Sequence, residues 1–109
     1  MADEKNNIVW NEKAKRFETE DKEAYLSYEL RRDIDGGGAQ TTMDITHTYV
    51  PPSKRGLGLA ADLCAAAFSH AQSHSLSVIP TCSYVSDTFL HKNPNWNSVL
   101  YKGDVKSSM

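Results

Sequence analysis

The residues whose types and spacing suggest chemistry lie in one basic turn, Lys54-Arg55-Gly56-Leu57-Gly58-Leu59-Ala60. Gly56 and Gly58 carry no Cβ, so backbone N–H groups in this turn can approach a ligand closely. Lys54 and Arg55 supply positive charge, and a helix that begins in the turn would add the positive end of its dipole. The turn therefore predicts a binding site for phosphate or a similar anion.

The turn joins a predicted strand to a predicted helix. Residues 42–50 are rich in Thr, Ile, Tyr and Val, which is typical of a strand. Their alternation assigns four residues to one face: Met43, Ile45, His47 and Tyr49. Apolar residues with helical spacing follow: Ala60, Leu63, Cys64, Ala67, Phe68 and Ala71. Ser77–Ile79 is a further short strand, so the unit predicts two parallel strands with a right-handed crossover.

The rest of the chain predicts short elements around this unit. Residues 8–10 are apolar, residues 14–19 are mixed and residues 24–30 alternate, which indicates an antiparallel meander. Residues 33–40, which include Gly36-Gly37-Gly38, predict a flexible connector. These glycines are not expected to bind phosphate, because no helix follows them. A helix is predicted at residues 83–91. The fold class is therefore α/β, in the α+β sense, with a mixed, mostly antiparallel sheet.

Length and composition predict one small domain. The chain has 109 residues, 39% of them hydrophobic and 24% charged, which is enough for one core, so residues 1–109 form a single domain with flexible tails at about 1–7 and 105–109. The two cysteines indicate no disulfide framework, and no Cys/His cluster has zinc spacing. We expect no metal.

Charge and targeting signals narrow the partners and the location. The net charge of −2 and the mixed-sign charges argue against nucleic acid as a partner. No apolar run approaches the roughly 20 residues that span a bilayer, and the first residues lack a signal-peptide core, so we expect a soluble intracellular protein. Ser107-Ser108-Met109 loosely resembles a peroxisomal address of the Ser-Lys-Leu type. The expected location is cytoplasmic or peroxisomal.

Two nucleotide-binding motifs are alternatives for the basic turn. Gly56, Gly58 and Ala61 fit the loose glycine pattern of dinucleotide folds. That pattern needs an Asp or Glu about 20 residues further on, where this chain has Ser77–Ile79, and the chain is too short for two mononucleotide halves. A P-loop is excluded because the chain has no Gly-x-x-x-x-Gly-Lys-Ser/Thr motif.

Arg55-Gly56-Leu57-Gly58-Leu59-Ala60 also resembles the signature of the GCN5-related N-acetyltransferase superfamily, which is Arg or Gln, two residues, Gly, one residue, then Gly or Ala. With His47-Thr48-Tyr49-Val50-Pro51, Ile79–Val85 and Asn93-Pro94, the resemblance covers most of the chain. It is similar to the minimal acetyltransferase-like proteins of plants and bacteria. The resemblance implies a reduced acyl-CoA N-acyltransferase fold with a β-α-β unit that binds coenzyme A.

The resemblance implies binding of acetyl-CoA or CoA by residues at the ends of the two parallel strands and in the turn. These are Tyr49, Val50, Lys54, Arg55, Gly56, Leu57, Gly58, Leu59, Ala60, Ser83 and Tyr84. The implied function is acetyl transfer from acetyl-CoA to an amine acceptor, with a protein lysine as one candidate. A non-catalytic CoA or acyl-CoA binding module is the alternative, and a protein-interaction domain with a vestigial turn is a third interpretation. The oligomeric state is not predicted.

His47 and Cys82 are the candidate catalytic residues. A neutral imidazole near pH 7 can take a proton from an amine; a histidine satisfied within the sheet is the other interpretation. Cys82 precedes the predicted helix at 83–91, whose dipole favours a thiolate nucleophile; a small packing residue is the alternative. Cys64 is expected to pack in the core. Tyr84 is a candidate proton donor to the departing CoA thiolate, although larger relatives have their tyrosine further along the helix, so a packing role for Tyr84 is the alternative.

Overall fold

The structure is a computed structural model that describes residues 8–32, 41–56 and 58–101. Several features named above lie outside the described residues: the tails at 1–7 and 105–109, the connector Gly36-Gly37-Gly38, Leu57 in the basic turn, and Ser107-Ser108-Met109.

Five strands form one sheet and lie side by side in chain order. They are β1 (Ile8–Asn11), β2 (Arg16–Thr19), β3 (Tyr25–Arg32), β4 (Thr41–Tyr49) and β5 (Ser77–Ile79). β1 to β4 pair antiparallel, and β5 pairs parallel to β4. The predicted meander and the predicted mixed, mostly antiparallel sheet are confirmed.

The helices follow β4 in the chain. A short 3-10 turn, Pro52–Lys54, leads to α1 (Leu59–Ser73), which connects β4 to β5. After β5, a π-helical segment, Tyr84–Phe89, continues directly into α2 (Leu90–Lys92), and a 3-10 segment, Pro94–Val99, completes the described fold. The predicted helix at 83–91 is therefore present, although its first six residues are wound more loosely than an α-helix.

The core lies between one face of the sheet and α1. The buried stripe of α1 consists of Leu59, Leu63, Cys64, Ala67, Phe68 and Ala71. It matches the predicted stripe except at its start, where Leu59 is buried and Ala60 is only half-buried. On the sheet side Leu26, Met43 and Ile45 are fully buried. Burial of this apolar surface is the main force that holds α1 on the sheet.

Phe68 fixes the C-terminal segments against α1. Its ring is fully buried and lies 5.4 Å from the ring of Phe89 and 5.7 Å from that of Trp96. Truncating a buried phenylalanine to alanine typically costs about 3–5 kcal/mol, because it leaves a cavity. This aromatic cluster therefore holds the π-helical segment and the 3-10 segment against α1.

An irregularity in β4 changes which side chains of its second half face α1 and which face away from it. Tyr28 pairs with Ile45 but Ser27 pairs with His47, so Thr46 is an extra residue and forms a β-bulge. Beyond the bulge, Thr48 pairs with the core residue Leu26. His47 and Tyr49 consequently point away from α1 and are exposed. The prediction that they share a face with Met43 and Ile45 was wrong, because strict alternation does not survive an inserted residue.

Within the described ranges, no helix is long and apolar enough to cross a membrane. In the same part of the chain, no three His, Cys, Asp or Glu side chains are grouped so that they could hold a metal ion. Both cysteines are free thiols, Cys64 in the core and Cys82 half-buried at its edge.

Candidate functional site

The turn between β4 and α1 contains two glycines in the left-handed region of backbone space. Gly56 has φ of +91° and Gly58 has φ of +79°. A Cβ at either position would meet no atom within 4 Å, so both glycines face open space. Other residues pay about 1–2 kcal/mol for this conformation. Glycine is therefore required here by the backbone and not by crowding.

The N-terminus of α1 emerges from this turn without a side-chain cap. Gly58 is the N-cap residue, and its carbonyl accepts the hydrogen bond of the Asp62 N–H at 3.0 Å. Gly58 has no side chain that could cap the helix, and no side-chain cap is found at this N-terminus among the described residues. N–H groups at such an N-terminus and the helix dipole together form a binding site for an anion such as phosphate.

A cleft of about 400 Å³ lies in front of this helix N-terminus. One wall is the turn and the first residues of α1: Val50, Lys54, Arg55, Gly56, Gly58, Leu59, Ala60 and Ala61. The opposite wall is helical: Tyr84, Thr88, Phe89, Lys92 and Asn93. A volume of this size accommodates an organic ligand of several hundred daltons in part or in whole.

Both cations of the turn are engaged by the protein itself. The Lys54 ammonium lies 2.8 Å from a carboxylate oxygen of Asp21 and 3.7 Å from one of Glu23. Its hydrogen bond lowers the pKa of Asp21 far below the ordinary value, and Asp21 in turn raises the pKa of Lys54. The Nε of Arg55 donates to the Val50 carbonyl at 3.0 Å. These contacts are exposed, where ion pairs are weak and exchange readily.

β4 and β5 separate close to the cleft. They are paired from Thr42 to Asp44, and the last link across is the hydrogen bond from the Cys82 N–H to the Ile45 carbonyl at 2.9 Å. Among the described residues, the second half of β4 has no strand partner on the β5 side. Backbone N–H and C=O groups in that half of β4 therefore have no strand partner on the β5 side in the part of the chain that the structure describes.

Cys82 lies at this gap, on the α1 side of β4. Its thiol donates to the Thr48 hydroxyl at a sulfur–oxygen distance of 3.6 Å. Tyr84 is half-buried nearby, and burial, with smaller effects of Cys64 and Cys82, raises its pKa above the ordinary value of 10. Burial raises the pKa of the Cys64 thiol to about 12, so this thiol stays protonated in the core. The expected packing role of Cys64 agrees with its position.

His47 lies on the other face of the sheet. Its ring is exposed and is 6.0 Å from the ring of Tyr25, which lies 5.7 Å from the ring of Tyr49. Adjacent residues of a strand point to opposite faces, so His47 and the Thr48–Cys82 contact are separated by β4. Among the described residues, no hydrogen bond joins His47 to Cys82.

The structure brings together most of the predicted cofactor-binding residues. Those that line the cleft are Val50, Lys54, Arg55, Gly56, Gly58, Leu59, Ala60 and Tyr84. Tyr49 does not, because the bulge turns it to the opposite face, and Ser83 is exposed outside the lining. Sequence reasoning missed five lining residues: Ala61, Thr88, Phe89, Lys92 and Asn93. The steps of four from Tyr84 to Thr88 to Lys92 were the available signal, because residues so spaced share a helix face.

Comparisons with known proteins agree with this architecture. A GCN5-like protein from Staphylococcus aureus, whose structure was determined by NMR in solution, matches with a TM-score of 0.55 and 23% sequence identity, over 90% of each chain. This likeness shows the fold. The sequence model of the GCN5-related N-acetyl-transferase family matches residues 16–99. The chain belongs to this family, which confirms the resemblance and indicates that it is an acetyltransferase.

Proposed function

We propose that this protein transfers an acetyl group from acetyl-CoA to an amine, with a protein lysine as the candidate acceptor. The observation that carries the proposal is the cleft between the uncapped N-terminus of α1 and the helical wall, next to the gap between β4 and β5. This arrangement offers anion-binding N–H groups at one place and the strand backbone of β4 at another. A ligand with a pyrophosphate and an amide-containing arm fits both features: the pyrophosphate can bind the N–H groups, and the amides can pair with the strand backbone.

The turn fits the pyrophosphate of CoA. The N–H groups at the start of α1 are uncapped, and the two glycines leave open space beside the backbone. Lys54 lines the cleft while its ammonium contacts Asp21 and Glu23. We expect Lys54 to exchange these exposed carboxylates for a phosphate oxygen when CoA binds, because a phosphate is the stronger hydrogen-bond acceptor for an ammonium.

The gap between β4 and β5 fits the thioester end. Acetyl-CoA supplies an acetyl thioester whose carbonyl carbon is attacked and whose thiolate leaves. Tyr84 lines the cleft, and its raised pKa keeps the phenol protonated at neutral pH. It can therefore donate a proton to the leaving thiolate, which is the candidate role considered from the sequence.

The two candidate catalytic residues lie on opposite sides of β4, so each is placed to act on a different reactant: Cys82 on the acetyl thioester and His47 on the amine acceptor. Cys82 is on the cleft side, within reach of Thr48. His47 is on the open face, beside Tyr25, where an acceptor can approach. In direct transfer, His47 accepts a proton from the amine, the amine nitrogen forms the new bond to the acetyl carbon, and the carbon–sulfur bond breaks. In the alternative, the Cys82 sulfur attacks the acetyl carbon and CoA leaves as its thiolate, which takes a proton from Tyr84. The amine then attacks the acyl-cysteine, the new carbon–nitrogen bond forms and the Cys82 thiol is released.

The test measures binding and transfer separately. Calorimetric titration with CoA and acetyl-CoA measures binding, and release of CoA thiol in the presence of a lysine-containing peptide or a polyamine measures transfer. We expect His47→Gln and Cys82→Ala to bind CoA as the wild type does. His47→Gln should lose about 10²-fold or more in the rate of transfer.

The two routes differ in the behaviour of Cys82. An acyl-cysteine predicts that Cys82→Ala abolishes transfer and that mass spectrometry finds one acetyl group on the Cys82 peptide without acceptor. Direct transfer predicts residual activity and no acetylated protein. Ser86→Ala, at an exposed position of the same helical segment outside the cleft lining, is the control and should change neither. CoA binding without transfer to any amine would indicate a binding module, and absence of CoA binding would refute the proposal.

A further inference from the structure

Three basic side chains line the cleft, and they differ in their partners. The Lys54 ammonium is held by Asp21 and Glu23, and the Arg55 Nε by a backbone carbonyl. Lys92 is exposed, and within the described residues it has no ion-pair partner. Lys92 and Arg55 are thus the cleft cations without a carboxylate partner among the described residues, and Lys92 is the one that lies outside the turn, on the helical wall.

Lys92 lies at the end of the helical wall that is far from the gap between the strands. Tyr84, Thr88 and Lys92 line the cleft at steps of four, so they follow one face of the helical segment. Tyr84 is the member of this row closest in sequence to Cys82, which is hydrogen-bonded to β4. Eight residues further on, at the rise of an α-helix, Lys92 is roughly 12 Å away along the axis.

This order along the wall matches the order of charges along CoA. The thiol end carries no charge, the pyrophosphate follows, and the phosphomonoester on the ribose is the group furthest from the thiol. The pyrophosphate has the N-terminus of α1 and the turn as its partners. Lys92, on the opposite wall and remote from the thioester end, is therefore the candidate partner of the phosphomonoester. Its ammonium can donate charge-assisted hydrogen bonds to that group.

We infer that Lys92 binds the 3′-phosphate of CoA, so that this cleft distinguishes CoA from dephospho-CoA. The inference rests on the proposed function, because it assumes that the cleft binds CoA. Lys92 is then a specificity-determining residue, and its contact with the cofactor is remote from the reacting atoms. It should contribute to affinity without contributing to the chemical step.

The test compares the affinities of two proteins for two ligands. Wild type and Lys92→Ala are each titrated calorimetrically with CoA and with dephospho-CoA at fixed low ionic strength, where screening is weak. We expect the wild type to prefer CoA about tenfold, and Lys92→Ala to lose this preference by weakening CoA alone. Lys92→Arg should retain it, since a guanidinium also pairs with phosphate.

Controls separate this contact from general electrostatics and from loss of fold. Lys13→Ala removes the same charge from an exposed turn that lies near His70, a residue in the C-terminal half of α1. This variant should keep the preference for CoA over dephospho-CoA. Unchanged affinity of Lys92→Ala for dephospho-CoA shows that the variant is folded. Equal weakening of both ligands, or no change in either, would overturn the inference while leaving the proposed function intact. Failure of wild type to bind either ligand would overturn both.

Discussion

Replacing Gly58 by alanine should weaken the fold and the cofactor site together. Gly58 has φ of +79°, and a Cβ there would meet nothing within 4 Å, so the cost is purely conformational. The left-handed conformation costs alanine about 1–2 kcal/mol, and the lower entropy of the unfolded alanine chain recovers about 0.4–1 kcal/mol. We therefore expect a loss of about 1 kcal/mol of unfolding free energy, which corresponds to about 4–8 °C in Tm.

The same substitution should weaken CoA binding. To the extent that the turn of Gly58→Ala relaxes to negative φ in the free protein, the cost moves from the fold to CoA binding, because binding must restore the left-handed conformation and expose the N–H groups of α1 again. A penalty of about 1–2 kcal/mol weakens binding about five- to thirtyfold. Thermal unfolding followed by circular dichroism and calorimetric titration with CoA measure the two effects.

Gly58→Asn is the matched control, because asparagine tolerates the left-handed conformation far better than alanine. It should retain more of the Tm and more of the CoA affinity than Gly58→Ala. If alanine, asparagine and glycine give the same Tm and the same affinity, the turn does not need a left-handed residue and the reasoning is refuted.

Three further predictions concern charged and titrating groups. Asp21→Asn should strengthen CoA binding modestly, because Lys54 then gives up only its longer contact with Glu23 when it binds phosphate; a fall in affinity on calorimetric titration would contradict this. Tyr84→Phe should lower kcat by about 10²-fold with little change in CoA affinity. Because the Tyr84 pKa is raised above 10, the wild-type rate should show no loss from its ionisation below about pH 10. A decline in that range that is absent from Tyr84→Phe would contradict the raised pKa, and an unchanged kcat in Tyr84→Phe would refute the role. Burial, with a smaller effect of His74, lowers the pKa of His70 below 6.5, so the unfolded chain binds more protons and stability falls as pH drops through the range just below 6.5. Urea unfolding at about pH 7.5 and about pH 5.5 should show a smaller loss for His70→Gln, and an equal loss would count against the assignment.

The elements of the fold could be predicted because each depends on local periodicity. Predicting the buried stripe of α1 required only that Leu63, Ala67 and Phe68 recur with helical spacing. The residues that are buried in the structure follow that spacing. The β4-α1-β5 crossover followed from the order of elements and the handedness rule. The glycine turn of the site was equally local, since Gly56 and Gly58 adopt the positive φ that glycine makes accessible.

The partners within the site could not be predicted, because they come from distant parts of the chain. Asp21 is far from Lys54 in sequence, and only the meander brings the β2–β3 turn to the basic turn. Of the helical wall only Tyr84 was predicted. The spacing places Thr88 and Lys92 on the same helix face as Tyr84, but that this face borders the cleft depends on the packing of Phe89 on Phe68.

Sequence by itself determined the order of strands and helices, the family, and the glycine turn before α1, because spacing, glycine chemistry and a contiguous motif are all properties of neighbouring residues. Tertiary structure alone decided where the candidate catalytic residues point. One extra residue at Thr46 turns His47 to the open face while Cys82 stays with Thr48 on the side of α1. The reason is that a bulge is a mismatch between two paired strands, and a mismatch exists only once the register with β3 is set.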